Sequence, residues 1–139
     1  LAGRRLNDGM GDYVASEVIK TMIQKDIKIK GAKILILGIT FKENCPDVRN
    51  TKAVDVINAL KSYGTNIIIY DPWANTNEVK KEYGLDSVNE LQNNRFDAIV
   101  LTVAHNEFKD LNLEALKNDT SIVYDVKNVL SEAKKDNGL

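Results

Sequence analysis

The sequence contains few of the residues from which metal sites and disulfides are built. Its 139 residues include one cysteine, Cys45, and one histidine, His105. A single cysteine cannot form an intrachain disulfide and fits a reducing compartment, so we expect a cytoplasmic protein. One cysteine and one histidine are also too few for a zinc site made of Cys and His ligands. We therefore expect no metal site.

Neither a strong charge imbalance nor a long apolar run is present. The formal net charge is −1, whereas a general nucleic-acid surface needs a basic stripe. No apolar run reaches the ~18 residues that span a bilayer. We therefore expect neither nucleic acid nor membrane as a partner. The chain begins without Met, inside a polar helical pattern with no signal peptide, so we expect a fragment of a longer protein.

What is present is enough apolar sequence for the core of one α/β domain, since 43% of the residues are hydrophobic. Near the N-terminus, apolar residues recur at three- to four-residue steps and predict a long helix over residues 5–27. Those residues are Leu6, Met10, Tyr13, Val14, Val18, Ile19, Met22, Ile23 and Ile27. We expect this helix to stand outside the domain, as a linker or dimerisation helix in residues 1–30.

Residues 31–139 alternate between apolar strands and helical segments. Strands are predicted at 33–37, 66–70, 98–103 and 121–125, and helices at 51–63, 75–83 and 113–117. This order is typical of β-α-β units with right-handed crossovers, so we predict a doubly wound parallel sheet, Rossmann-like but without a G-x-G-x-x-G turn. The polar tail, residues 131–139, is expected to fray.

The turn after the first strand is the most informative segment. It enters a helix for which Asn50 or Thr51 is the expected N-cap, and it carries Lys42 and Arg49. Free N–H groups at a helix start and positive side chains favour an anion, above all a phosphate. Two plainer interpretations remain: the cations are ordinary surface charges, and Asp47 pairs with Arg49 or caps the turn.

A second interpretation makes the segment a nicotinamide-binding turn. Gly38 ends the first strand, and Asp71 closes the second strand where a ribose-binding acid would stand. However, Ile39, Thr40 and Phe41 follow Gly38, and their side chains would block the close approach of a pyrophosphate. We therefore do not expect this segment to bind a dinucleotide by itself.

The remaining candidates follow the other strands. Lys127, just after Asp125, could reach the same pocket as Lys42. His105 is expected to be a turn or packing residue, and Trp73 a packing anchor. Cys45 has no evident base beside it, so we do not expect it to act as a nucleophile.

Several of these motifs together resemble a known family. Phe41-Lys42 followed by Asp47-Val48-Arg49 resembles the F-K-x-x-x-x-D-x-R signature of the nucleotide-sugar 6-dehydrogenases. Tyr70-Asp71-Pro72 resembles the Y-D-P after the family's second C-terminal strand, and Tyr124-Asp125-Val126-Lys127-Asn128 resembles its D-x-[RK] element. Arg4-Arg5-Leu6-Asn7-Asp8 resembles the latter half of the helix that joins the family's two domains. Val103-Ala104-His105-Asn106-Glu107-Phe108 is similar to the branch acting on UDP-N-acetylhexosamines.

The resemblance implies a C-terminal UDP-sugar-binding domain. By position, Phe41 and Lys42 would contact the sugar nucleotide, and Arg49 would reach the NAD pyrophosphate across the domain cleft. Lys127 stands where many members have Arg, and it offers a point charge in place of a planar fork. NAD itself would be bound mainly by an N-terminal domain that this chain lacks. Cys45 is not in the Gly-Cys-Phe context of the family's catalytic cysteine.

By the same resemblance, the whole enzyme would oxidise the C6 alcohol of a UDP-sugar to the carboxylate in two NAD-dependent steps. The expected substrate is UDP-N-acetylglucosamine or UDP-N-acetylgalactosamine, with UDP-glucose second, for bacterial capsule or O-antigen precursors. A homodimer is expected, and no catalytic residue in this chain, so the fragment alone would be inactive. The alternative is a non-catalytic nucleotide-sensing or interaction module with a Rossmann-like fold.

Overall fold

The computed structural model describes the backbone of residues 2–139 and the side chains of residues 9–139. In chain order the elements are α1 (Ala2–Gln24), β1 (Lys33–Leu37), α2 (Ala53–Ser62), β2 (Asn66–Tyr70), α3 (Thr76–Tyr83), β3 (Phe96–Leu101), α4 (Asn106–Lys109), a 3-10 turn (Glu114–Leu116), β4 (Lys117–Asp125) and β5 (Asn137–Gly138). Within these residues the strands form one parallel sheet in the order β2-β1-β3-β4-β5. The predicted parallel α/β sheet is confirmed.

Both faces of the sheet are covered, because successive strand residues point to opposite sides. On one face the strands pack against α1, α2 and α3, through Ile34, Ile36, Ala98, Val100, Ile122 and Tyr124. On the other face they pack against α4, the 3-10 turn and the segment after β4, through Leu35, Leu37, Ile99, Leu101 and Val123. The nearly continuous apolar strands follow from this two-sided burial. The doubly wound arrangement is therefore confirmed.

The first helix is part of the sandwich, and the expectation that it stands outside was wrong. Val14, Val18 and Met22 are fully buried in the same core as the sheet and α2. A Cβ on Gly11 would lie 2.5 Å from Cβ of Asp55, so the two helices cross closely at that glycine. The helix packs on the sheet because its buried apolar side chains, spaced four residues apart, complete the cover of one sheet face.

Some residues of the predicted apolar stripe of α1 point outward. Met10, Tyr13 and Ile23 are 44%, 52% and 57% exposed. The side chain of Leu6, and the segment of residues 4–8 that resembles an interdomain helix, lie outside the described side chains. None of the helices in residues 2–139 is both long and apolar enough to cross a membrane. A linker or dimerisation role of α1 stays a prediction.

The C-terminal tail is ordered by hydrogen bonds to β4, so the expectation of fraying was wrong. The Asp136 carboxylate accepts from the Val123 N–H at 2.7 Å, and the Asp136 N–H donates to the Val123 carbonyl at 2.8 Å. β5 then continues as a fifth parallel strand. Lys25 of α1 adds an ion pair with Asp136 at 2.9 Å. This strand is therefore held by hydrogen bonds and not by an apolar pattern.

Candidate functional site

β1 ends in a turn that only glycine fits. Gly38 has φ of +103°, and a Cβ there would lie 2.5 Å from Cβ of Val103. An L side chain would be both strained and in collision with the loop after β3. The carboxyl ends of β1 and β3 are thus brought close together, at the edge of a parallel α/β sheet where ligands bind.

The loop from β1 to α2 is closed on itself. The Phe41 N–H donates to the Asp47 carbonyl at 2.7 Å. Asn44 and Asn50 take up left-handed φ angles of 54° and 57°, which asparagine tolerates better than most residues. Phe41, 55% exposed, and Lys42, also exposed, lie at this closed turn. The predicted pair is therefore presented to solvent on a fixed backbone.

Thr51 ties the loop to the start of the helix that follows. Its Oγ1 accepts from the Ala53 N–H at 3.2 Å and donates to the Thr40 carbonyl at 3.2 Å. Neither expected residue is at the N-cap position, which Lys52 occupies without a side-chain capping bond. Thr51 lies one residue before it and bonds to the first helical residue, and Asn50 makes the left-handed turn before Thr51. The Thr51 side chain also ties the end of the loop to its beginning.

Asp71 is a buried centre of hydrogen bonds. One carboxylate oxygen accepts from the N–H groups of Ile39 (2.7 Å) and Thr40 (3.2 Å). The other accepts from the N–H groups of Trp73 (2.8 Å) and Ala74 (3.2 Å). The aspartate is therefore not placed as a ribose-binding acid. It also occupies the two N–H groups that a pyrophosphate would need at the turn after β1.

The single histidine completes this network. The Asn44 N–H donates to Nδ1 of His105 at 2.9 Å, so Nδ1 carries no proton and Nε2 does. Nε2 lies 3.0 Å from the Asp71 carboxylate. The ring stacks on Trp73 with centroids 6.0 Å apart and meets the edge of Phe108 at 5.3 Å. The packing role predicted for His105 and Trp73 is confirmed, and hydrogen bonds that the sequence did not indicate are added.

Two opposing effects act on the Asp71 carboxyl. Burial raises its pKa, but the hydrogen bonds from His105 and from the N–H groups of Ile39 and Trp73 lower it by more. The net result is a pKa below the ordinary aspartate value. Asp71 is therefore ionised at neutral pH even though it is buried.

Arg49 pairs with Asp47, as one of the plainer interpretations expected. Its Nε and Nη2 donate to the two carboxylate oxygens at 3.0 and 3.2 Å. These side-chain hydrogen bonds lower the pKa of Asp47. Arg49 also lines an open depression of about 720 Å³, together with Cys45, Pro46, Asp47, Val48, Asn75, Glu78, Lys81 and Glu82. Acidic groups outnumber basic ones in this lining.

Lys127 lies on a turn built by Asp125. The buried Asp125 carboxylate accepts from four backbone N–H groups, those of Lys127, Asn128, Val129 and Leu130, at 2.7 to 3.0 Å. The exposed Lys127 lines a second cavity of about 220 Å³ between α1, α2 and the strand ends. Its other lining residues are Met10, Gly11, Val14, Lys52, Ala53, Asp55, Val56, Thr102 and Val126.

The predicted site residues thus share one edge of the sheet but do not form one cluster. Phe41 and Lys42 lie on the closed turn, and Arg49 and Lys127 line two different cavities. Lys42 lines neither of these two cavities, so a pocket shared by Lys42 and Lys127 stays a prediction. The part that sequence reasoning missed is Asn44, whose Oδ1 also accepts from the Asn106 N–H at 3.0 Å.

Comparison with known proteins assigns this arrangement to a family. Residues 35–132 match the UDP-glucose/GDP-mannose dehydrogenase family, UDP binding domain. The chain is 46% identical to the UDP-N-acetyl-D-glucosamine 6-dehydrogenase of Salmonella typhi, over 98% of this chain and 33% of that protein. It is 40% identical to protein CapL of Staphylococcus aureus, over 94% and 31% respectively. The chain therefore spans about a third of the length of these relatives.

Solved structures agree on the fold. The NDP-N-acetyl-D-galactosaminuronic acid dehydrogenase of Methanosarcina mazei superposes with a TM-score of 0.83 at 20% identity, over 94% of this chain and 28% of that one. The UDP-D-ManNAc dehydrogenase of Pyrococcus horikoshii gives 0.78 at 24%, over 97% and 32%. With the sequence match over residues 35–132, the chain belongs to the UDP-glucose/GDP-mannose dehydrogenase family and corresponds to its UDP binding domain.

Proposed function

We propose that the chain is the C-terminal nucleotide-sugar-binding domain of an NAD-dependent UDP-sugar 6-dehydrogenase. The observation that carries the proposal is the family match combined with a fixed, solvent-facing turn that bears Phe41 and Lys42 at the carboxyl edge of the sheet. Two relatives at 46% and 45% identity are named UDP-N-acetyl-D-glucosamine 6-dehydrogenases, which favours a UDP-N-acetylhexosamine over UDP-glucose. The product would be a uronate precursor for bacterial capsule or O-antigen polysaccharide.

Each predicted residue has a separate part in this proposal. Phe41 and Lys42 contact the nucleotide sugar, with Lys42 as a charge partner for its phosphates. Lys127 contacts the same ligand from the turn after β4. Arg49 lines a different depression and reaches the phosphates of NAD, which a planar guanidinium can bind through two parallel hydrogen bonds. To do so Arg49 must leave or share its pairing with Asp47.

The loop after β1 does not fit NAD as its main site, because Asp71 already accepts from the N–H groups of Ile39 and Thr40. NAD, the hydride acceptor of the reaction, is therefore assigned mainly to a domain outside this chain. The catalytic cysteine belongs there too, so this chain alone is expected to be inactive. We propose a homodimer through α1, supported by the exposed Met10, Tyr13 and Ile23. We also propose a cytoplasmic enzyme, because a single cysteine fits a reducing compartment.

The test is a thermal-shift and calorimetric titration of the chain with UDP. Binding to the folded state raises the stability by RT ln(1 + [L]/Kd), so UDP should raise the melting temperature. Lys42→Ala removes a charged contact and should weaken UDP binding by about ten- to hundredfold. The matched control is Lys61→Ala, an exposed lysine in the last turn of α2, which should bind like the wild type. No response of the wild type to millimolar UDP favours the non-catalytic interaction module.

A further inference from the structure

His105 is fully buried between two loops and holds one with each ring nitrogen. Nδ1 accepts from the backbone N–H of Asn44, in the loop after β1, at 2.9 Å. Nε2 lies 3.0 Å from the carboxylate of Asp71, in the turn after β2. Only the neutral ring with its proton on Nε2 can make both bonds, since a proton on Nδ1 would face another donor.

The backbone of Lys42 is fixed on both sides by partners of this ring. On one side, Oγ1 of Thr40 lies 3.1 Å from Nε2 of His105 and donates to the Lys42 carbonyl at 3.0 Å. On the other side, Asn44, two residues beyond Lys42, donates to Nδ1 of His105. The direction in which Phe41 and Lys42 project therefore depends on the imidazole.

We propose that His105 is a positioning residue for nucleotide binding, acting through the turn that carries Phe41 and Lys42. The identity of the ligand, UDP, rests on the proposed function above. Without an acceptor at Nδ1, the Asn44 N–H loses its partner and the turn populates other conformations. The apparent affinity for UDP is then the intrinsic affinity multiplied by the fraction of molecules in the competent conformation.

Packing is the competing explanation, because the ring also contacts Trp73 and Phe108. Two substitutions of His105 separate the explanations, since each keeps one of the two polar positions. The amide of asparagine lies near the position of Nδ1, so His105→Asn can still accept from Asn44 and loses Asp71. The longer glutamine reaches the position of Nε2, so His105→Gln can still donate to Asp71 and loses Asn44.

The experiment measures amide hydrogen exchange at Asn44 and UDP affinity by calorimetry for the wild-type chain and both variants. His105→Gln should lose the protection of the Asn44 amide and bind UDP roughly tenfold more weakly. His105→Asn should keep that protection and an affinity within about twofold of the wild type, although it too is less stable. The ranking of affinities should follow the Asn44 bond and not the melting temperature.

Several results would overturn the inference. If the wild type binds UDP and His105→Gln binds it with the same affinity, this inference is overturned and the proposed function is not. Equal weakening in both variants, in proportion to their loss of stability, assigns the effect to packing and also overturns it. A wild-type chain that does not bind UDP overturns the proposed function and, with it, the ligand assigned to this turn.

The protonation of the His105 ring can be tested on the wild type, so this test does not depend on whether the variants fold. Nitrogen-15 NMR of the imidazole should show the proton of neutral His105 on Nε2. A proton on Nδ1 would contradict the hydrogen bond from Asn44, and the inference would fall whatever the variants do.

Discussion

Two aspartates in this molecule occupy the same place in the sequence pattern and have different consequences. Asp71 follows Tyr70 at the end of β2, and Asp125 follows Tyr124 at the end of β4. Both carboxylates are buried and both accept from four backbone N–H groups. The donors to Asp125 all lie two to five residues downstream. Two of the donors to Asp71 lie 31 and 32 residues upstream, and His105 is a further partner.

The difference shows how one local motif can build either a turn or a connection between loops. Asp125 shapes only the turn that carries Lys127, because its bonds stay within that turn. Asp71, which follows β2, bonds to residues that follow β1 and β3, so it joins the ends of three strands. The position of Lys42 therefore depends on residues far away in sequence, whereas that of Lys127 depends on its neighbours.

Asp71→Asn should give the largest effect. An amide has one acceptor oxygen, so one pair of buried N–H groups is left facing donors and the partner of His105 loses its charge. Because each buried N–H group left without an acceptor costs about 1–3 kcal/mol, we expect a loss of about 3–5 kcal/mol in the free energy of unfolding, measured by urea denaturation. The control is Asp86→Asn, whose side chain is 91% exposed and should change stability by less than about 0.5 kcal/mol. A loss as small as that of the control would contradict the assigned role of Asp71.

Gly38→Ala should cause the second-largest loss of stability, because Gly38 precedes the N–H groups of Ile39 and Thr40 that bond to Asp71. The alanine would combine a strained φ with a collision against Val103, and we expect a loss of about 2–4 kcal/mol. Gly31→Ala is the matched control, since Gly31 also has a positive φ, +82°, but no atom lies within 4 Å of the added Cβ. Its cost should be strain alone, about 1 kcal/mol. Equal melting temperatures of the two variants would show that Val103 does not restrict the turn.

Asp125→Asn should be third, at about 1–3 kcal/mol, because it leaves backbone donors unpaired but breaks no charged contact between loops. Its specific signature is local. Amide exchange should accelerate at residues 127–130 and stay unchanged at Asn44, the reverse of the pattern for Asp71→Asn. Accelerated exchange at Asn44 in Asp125→Asn would mean that the two aspartates belong to one cooperative network.

The smallest effect concerns acid. The folded-state pKa of Asp71 is below the ordinary value of 3.8, so its ionisation stabilises the fold fully above the unfolded-state pKa. That contribution is lost as the pH falls through the lower folded-state pKa. The gap in unfolding free energy between the wild type and Asp71→Asn should therefore stay constant down to about pH 5 and then narrow as the pH falls through 3.8 and below. A gap that stays constant at the lower pH values too would show that the pKa of Asp71 is not lowered by folding.

Much of the fold could be predicted because its signals are local. The apolar strands and the helix predicted at residues 75–83 are indicated by short segments, and the structure has them at nearly the same positions. β5 could not be predicted, because Asn137 and Gly138 carry no apolar pattern. That strand is held by Asp136, whose partner Val123 lies 13 residues earlier. The place of α1 was misjudged because its stripe indicates burial without saying against what.

The candidate site divides in the same way. The turn with Phe41 and Lys42 and the pairing of Asp47 with Arg49 follow from neighbouring residues. The bond from Asn44 to His105 joins positions 61 residues apart, and nothing in either neighbourhood indicates it. Close approach of the loops after β1 and β3 is a property of the parallel sheet, so only the three-dimensional arrangement reveals it.

The most direct test of the account is an amide NMR titration of the chain with UDP. UDP should change the chemical shifts at the carboxyl edge of the sheet, in residues 40–44 after β1 and residues 126–129 after β4. Residues 117–120 and Arg95, at the opposite edge, should not respond. Shift changes centred on that opposite edge, or none at millimolar UDP, would contradict the claim that these loops bind the nucleotide.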